Sequence, residues 1–447
     1  MNMTTPNQEA TQIDGAIDPL ELAAEIDRSG LFVTAYDVLN GYIPIFLIAF
    51  LTTIILTPII RRIAVDSGII DNPDGLRKLH SYPVAYMGGI SILIGLIIAI
   101  GASYVMFDPA IAMFSTVPIS VIIGMLAISL TGLADDIWGW DPRLKIAGQL
   151  VAAAALAIQD IGVRVAQGLL YPLLGDPATV LFQIGSLQVA NQDVYYWIGT
   201  IVIGVFVLGA CNSSNLIDGL DGLLSGTVAI MAIGFVIISC EMAVTLAPNA
   251  DPETSLAGTR IILSLALLGA VLGFLPYNFK PAVIFLGDSG SLLLGYMCIV
   301  IILMFGDRGQ THLVFAGLII FALPIMDTLL AIVRRKISGA SMSDADHQHI
   351  HHQLLRAMKS VPKAVFTLYG VTALFTTVGV LLASMLILWD FRIRVIYVFA
   401  TLLFTFIGAV AIKNARLAHA THAALDSDED PAESSSIDAS DGAVRSK

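Results

Sequence analysis

The sequence predicts an all-α, polytopic membrane bundle, and three observations carry that prediction. Of 447 residues, 56% are hydrophobic and 13% charged, against roughly 25% charged in a soluble globular domain. Apolar runs of about 18 residues or more, long enough to cross a hydrocarbon core about 30 Å thick, recur from Gly41 to Lys413. The net charge of -12 belongs to the ends, because residues 1 to 40 and 425 to 441 together hold fourteen acids and one base, Arg28.

Three regions follow. Residues 1 to 40 and 413 to 447 are acidic segments too poor in apolar side chains to bury a core, and are expected to lack a fixed structure. Residues 41 to 412 are expected to form the membrane domain. No basic stretch leads directly into the first apolar run, so that run is expected to insert and stay. Cys211, Cys240 and Cys298 lie in or beside apolar spans without CxxC spacing and are expected to be buried and reduced. Nothing in the charge pattern points to a nucleic-acid partner.

About eleven spans are expected, near 41 to 60, 88 to 107, 115 to 134, 144 to 161, 194 to 211, 222 to 247, 259 to 277, 285 to 305, 311 to 333, 364 to 388 and 393 to 412. The fourth is the weakest, being Ala-rich, and also fits an interfacial or buried helix. With the N-terminus outside and the C-terminus inside, 17 of the 23 Lys and Arg residues fall in cytoplasmic loops, which is the orientation that positive charge selects. The largest outer loop, about Asp160 to Asp193, contains LFQIGSLQVA and is expected to form a short hairpin on the periplasmic side.

That orientation places every loop rich in Asp, Asn, His and Gly on the cytoplasmic face. The first, Asp71 to Gly89, carries Arg77, Lys78 and His80 among prolines and glycines. It fits close approach to a phosphate, or simple anchoring by positive charge. The second, Leu133 to Gln149, ends a span with Asp135 and Asp136 and continues to Arg143 and Lys145. Adjacent helical side chains point about 100° apart, so the two carboxylates suit different roles, drawn from accepting a proton, contacting a cation and orienting the two bases. Asp141 before Pro142 reads as an N-cap.

In Asn212 to Gly226, the residues Asn212, Asn215, Asp218 and Asp221 recur every third position, with Gly219 and Leu220 between the last two. The glycines favour broken helix geometry, and the oxygen-rich side chains suit a hard cation in a polar pocket. Asn278 leads into GDSGS, where Asp288 reads as an N-cap beside backbone N–H groups open to an anion. Last, His349, His351 and His352 follow in HIHH. Without cysteine, and amid oxygen-rich motifs, donors to a sugar or diphosphate fit these histidines better than a zinc site.

Taken in this order, RKLH…P…GG (Arg77 to Gly89), the Asp135–Asp136 pair, NxxNxxDGxDGL (Asn212 to Leu223), GDSGS (Gly287 to Ser291) and HIHH (His349 to His352) resemble the polyprenyl-phosphate N-acetylhexosamine-1-phosphate transferase superfamily, glycosyltransferase family 4. Within it they look like the undecaprenyl-phosphate GlcNAc-1-phosphate transferase branch. The sister branch, the phospho-MurNAc-pentapeptide translocases, usually has a triple-His motif and a different first loop.

The resemblance implies a UDP-N-acetylhexosamine donor, an undecaprenyl phosphate acceptor, Mg²⁺ (with Mn²⁺ as a substitute) and a cytoplasmic site in the inner membrane. A homodimer stays open. Residue by residue, it implies that Asp288 and Asn215 hold the metal and that Asp221, near Gly219, Leu220 and Asn278, recognises uracil. Asp135 and Asp136 would position or activate the carrier phosphate, Arg143 and Lys145 would hold phosphate, and the three histidines would contact the diphosphate and sugar. A secondary transporter is the rival from another class, and it calls for midplane polar residues and matching halves, which this sequence lacks.

Overall fold

The computed structural model describes residues 34–71, 82–106, 116–184, 187–246, 256–338, 349–389 and 391–429. Among them, fourteen α-helices account for nearly all regular structure. They are α1 (Ala35–Asp66), α2 (Gly88–Met106), α3 (Ile119–Trp138), α4 (Pro142–Ile158), α5 (Val163–Leu174), α6 (Asn191–Ile217), α7 (Leu223–Leu246), α8 (Ala257–Asn278), α9 (Gly287–Phe305), α10 (Thr311–Ile320), α11 (Ala322–Ser338), α12 (Ile350–Met358), α13 (Val361–Trp389) and α14 (Arg394–Glu429). The four strands are short: β1 (Ile70–Asp71), β2 (Val84–Ala85), β3 (Val180–Ile184) and β4 (Leu187–Ala190). Of the tails, α1 already begins at Ala35 and α14 runs on to Glu429, while 1–33 and 430–447 lie outside the described residues.

Among the described residues, eight helices are long and apolar enough to span a membrane, and counting each of two bent pairs as one span gives up to ten. The eleven expected spans therefore do not all appear as single straight helices. The expected fourth span falls on α4, which is followed by α5 across a 67° bend. Asp160, in the left-handed region at φ 56°, lies in the break. The ninth is α10 joined to α11 with a 77° bend. Pro324 explains that break, since it lacks the N–H that Ile320 would accept in a continuous helix. The eleventh contributes only a shorter apolar helix, Arg394–Val410.

The apolar residues pack around α9, whose side chains are buried almost throughout, against α2, α3, α6, α7, α8 and α10. Peripheral helices such as α1 and α13 leave a face exposed, as lipid contact requires. The expected hairpin is present, with β3 antiparallel to β4. All three cysteines are buried and free.

One end of the bundle is irregular. There α3 ends and α4 begins, α6 turns into α7, and residues 279–286 connect α8 to α9. The β1–β2 pair lies beside that connection: Ala85 forms a parallel bridge with Ile284, and Phe285 N–H donates to the Ala85 carbonyl at 2.8 Å. The Gly88 and Gly89 amides of α2 donate to the carbonyls of Phe285 and Leu286, each at 2.9 Å. Five chain segments thus converge on the start of α9.

Candidate functional site

Asp288 is the hub. It lies in the first turn of α9, but it is not the cap: Leu286 holds that position and supplies no side-chain hydrogen bond. The cap comes from α3. Asp136 accepts from the Asp288 N–H through Oδ1 at 2.8 Å and from the Ser289 N–H through Oδ2 at 3.1 Å. This corrects the reading of GDSGS as a self-capped turn with amides open to an anion, because a carboxylate already occupies two of those donors. Gly287 permits the approach. It adopts φ 69°, and a Cβ there would stand 2.5 Å from Asp136 Oδ2.

Relieved of capping, the Asp288 side chain faces other partners. Its Oδ2 is 2.5 Å from Lys145 Nζ, which also pairs with Asp135 Oδ2 at 2.6 Å. Its Oδ1 accepts from Asn215 Nδ2 at 2.7 Å, and the same amide reaches Ser291 Oγ at 2.9 Å. The adjacent acids of α3 therefore diverge: Asp135 engages Lys145, and Asp136 fixes the backbone of α9. Asp141 caps α4 as expected, accepting from the Arg143 N–H at 2.8 Å, with Pro142 at the first helical position. That cap starts the helix that carries Lys145.

The repeat of Asn and Asp divides between helix and turn, as its glycines predict. Asn215 lies in the last turn of α6, Asp218 is the C-cap, and Asp221 lies in the turn before α7. Asp221 Oδ2 accepts from the Ala282 N–H at 3.2 Å and lies 3.4 Å from Lys280 Nζ. Asn278 ties the same region from within, accepting from Ser225 Oγ at 2.8 Å and donating to the Ile284 carbonyl at 3.1 Å. Burial, followed by the carboxylates of Asp288, Asp136 and Asp221, pushes the Asp218 carboxyl up to about 8.

These groups enclose a cavity of about 340 Å³, lined among others by Asn215, Asp218, Gly219, Leu220, Asp221, Asn278, Asp288 and His352. Its size lies within the range of small-molecule sites. Asp71 and Tyr86, brought in by the β1–β2 pair, also line it and were not singled out from the sequence. Asp71 opens the first polar loop, which was the signal available. Asn212 is not part of the lining. Its amide bridges to Gln149 Oε1 at 2.9 Å and joins α6 to α4. Arg143 is exposed on the first turn of α4, outside the cavity lining. Arg77, Lys78 and His80 lie outside the described residues.

The histidines stand on and before α12. His349 and His351 are buried, and His352 reaches the cavity. The His349 and His351 rings stack at 5.6 Å and 9°, and His351 and His352 follow at 4.2 Å. His351 presses on the α6–α7 turn so closely that a Cβ on Gly219 would stand 2.2 Å from its Nε2. Burial chiefly, then the neighbouring His352, pulls His351 down to about 3 despite a smaller opposing effect from Asp327.

Asp288, Asn215, Asp218 and Asp221 offer oxygen donors with an excess of negative charge, which adds to burial in raising Asp218. That donor chemistry fits a hard divalent cation. An amide turned through 180° would present oxygen where Asn215 now presents nitrogen. Among the described residues, no group of three or more His, Cys, Asp or Glu side chains is already gathered around a metal position, so the fit rests on donor type.

Comparison with known proteins adds an independent finding. Residues 118–306 match the glycosyl transferase family 4 profile, a stretch that includes every carboxylate described above except Asp71 and Asp327. The chain is similar to a probable undecaprenyl-phosphate N-acetylglucosaminyl 1-phosphate transferase of Bacillus subtilis, with 31% identity covering 76% of this chain and 84% of that protein. It is also similar to a decaprenyl-phosphate N-acetylglucosaminephosphotransferase of Mycolicibacterium smegmatis, with 34% identity over 72% and 77%. An undecaprenyl-phosphate alpha-N-acetylglucosaminyl 1-phosphate transferase of Escherichia coli O157:H7 shares 28% identity over 82% and 91%.

Proposed function

The chain belongs to glycosyl transferase family 4, and from that premise we propose that it transfers GlcNAc 1-phosphate from UDP-GlcNAc to undecaprenyl phosphate. The names of its relatives support the substrates. The observation that carries the chemistry is the Asp135–Lys145–Asp288 chain beside Asn215 at one end of a membrane bundle. The face bearing this site is cytoplasmic in this reading, with the N-terminus outside and the C-terminus inside the inner membrane, supported by the distribution of Lys and Arg.

In the reaction a phosphate oxygen of the lipid carrier attacks the β-phosphorus of the UDP-sugar. The bond from that phosphorus to the bridging oxygen breaks, UMP leaves with the electron pair, and a polyprenyl diphosphate sugar remains. A phosphate monoester is already largely ionised near neutrality, so orientation and charge compensation matter more than proton abstraction.

Lys145 is the cation paired with Asp288, which lines the cavity. Its contact with Asp135 and Asp288 orients it, and an incoming phosphate could replace one carboxylate partner. Asp221 and the turn backbone at Gly219 and Leu220 are suited to hold the nucleoside, while His352 is suited to the diphosphate or sugar. Asp288 and Asn215 would hold Mg²⁺, or Mn²⁺ in its place. The ion would neutralise diphosphate charge as it develops on the leaving UMP.

The test is UMP release from UDP-GlcNAc by purified protein with undecaprenyl phosphate and Mg²⁺, in wild type and in Asp288→Ala. Carrier-dependent release that disappears in a folded variant supports the reading. Folded wild-type protein that releases nothing from any UDP-N-acetylhexosamine overturns it.

A further inference from the structure

Asp327 takes no part in the chemistry above, yet it is a fully buried acid in a helix that is otherwise apolar around it. Both of its oxygens are used. Oδ2 stands 2.9 Å from His349 Nδ1, and Oδ1 accepts from the Ile350 N–H at 2.8 Å. A buried carboxylate persists only when its charge is met by donors of this kind. Here the donors are the residue before α12 and the first amide of α12.

That helix needs such a fastening. With nine residues it is too short to be stable alone, and its position must come from contacts at its ends and along one face. Asp327 secures the beginning. From there the His349 ring stacks on His351, His351 packs against Gly219, and His352 enters the cavity. Hydrogen bonding to Nδ1 also fixes which His349 nitrogen remains for other contacts.

We infer that Asp327 is a positioning residue, which fastens α12 to the bundle and so sets where His352 stands in the transferase site. The catalytic part of this inference rests on the function proposed above; the structural part does not. Asp327→Asn keeps an acceptor for the Ile350 N–H but loses the anionic partner of His349.

Hydrogen exchange separates local from global effects. In Asp327→Asn, peptides covering residues 349–358 should exchange about tenfold faster, while peptides from α9 stay unchanged. UMP release then reads the coupling. Asp327→Asn should lower kcat/KM about tenfold or more in the wild-type background, and less than about twofold when His352→Ala is already present. Equal losses in both backgrounds, or unchanged exchange in α12, would overturn the inference, because a general folding role predicts the first and no role predicts the second.

Should Asp327→Asn fail to fold, His349→Gln breaks the same contact from the other side and carries both measurements. If wild-type protein releases no UMP, the transferase reading fails, and the exchange comparison still decides whether Asp327 fastens α12.

Discussion

Replacing Asp136 distinguishes a carboxylate that does chemistry from one that builds the site. Its two oxygens hold the Asp288 and Ser289 amides at 2.8 and 3.1 Å. A hydrogen bond to a charged group contributes about 1.5–3 kcal/mol. Asp136→Ala removes both acceptors, so the expected loss is about 3–6 kcal/mol, at the lower end because Asp136 is only half-buried. Asp136→Asn keeps one acceptor and turns a donor toward the other amide, with an expected loss of about 1–3 kcal/mol.

Two assays are needed, thermal unfolding in detergent and UMP release as a function of pH. A positioning role predicts that Asp136→Asn melts several degrees lower and loses activity by the same factor at every pH, as Asp288 shifts. Gly287→Ala should reproduce this from the other side, since the left-handed backbone and the 2.5 Å approach both oppose a side chain there. If Asp136→Asn melts like wild type while the acidic limb of its rate profile disappears, Asp136 exchanges a proton in the reaction and the reasoning fails.

Lys145→Met should leave Asp135 and Asp288 without their shared cation and lower kcat by about 10²-fold or more, the scale of losing a group aimed at developing charge; a kcat within about threefold of wild type would remove Lys145 from the reaction. Asp218 gives a pH dependence. Its carboxyl is raised from 3.8 to about 8 in the folded chain, so the folded state retains a proton that the unfolded state gives up. In chelator-treated protein that stabilisation is fully present below pH 3.8 and is lost as pH rises through about 8. Urea melts across this range should show the decline in wild type and a flatter course in Asp218→Asn; parallel courses would refute it. His351 acts in the opposite sense. Lowered from 6.5 to about 3, it favours the folded state above 6.5, and that contribution should fall away as pH drops through 6.5 toward 3. His351→Gln should therefore lose less stability than wild type between neutral and mildly acidic pH.

The sequence made the spans legible because lipid imposes a simple rule, a long apolar run for each crossing. It was least informative where that rule is bent. The run from 311 to 333 is continuous in hydropathy, and only Pro324 marked the break between α10 and α11. The division of labour between Asp135 and Asp136 followed from helix geometry, but their partners did not, since Lys145 and the amides of α9 come from other helices. GDSGS misled for a related reason: a residue of cap type can be displaced from capping by a better acceptor outside its own helix. Asp71 and Tyr86 depend on a two-residue strand pair, too short to leave a pattern. Asp327 did leave a signal, an acid within an apolar run, and it needed the position of α12 to acquire a role.

The placement of the polar groups has a physical logic. Carboxylates are costly in the middle of a spanning helix, but at helix ends the unpaired backbone groups supply donors for them. Asp136 uses the first amides of α9, and Asp327 uses the first amide of α12. Each of these acids is thus satisfied by the beginning of another helix, and each in consequence fixes a helix whose own side chain, Asp288 or His352, faces the cavity. The same contact that makes burial of the anion tolerable also aims the functional residue. Loss of either acid should therefore disturb the site through geometry before it disturbs it through charge, which is why structural readouts for α9 and α12, alongside rates, separate these carboxylates from Asp288 itself.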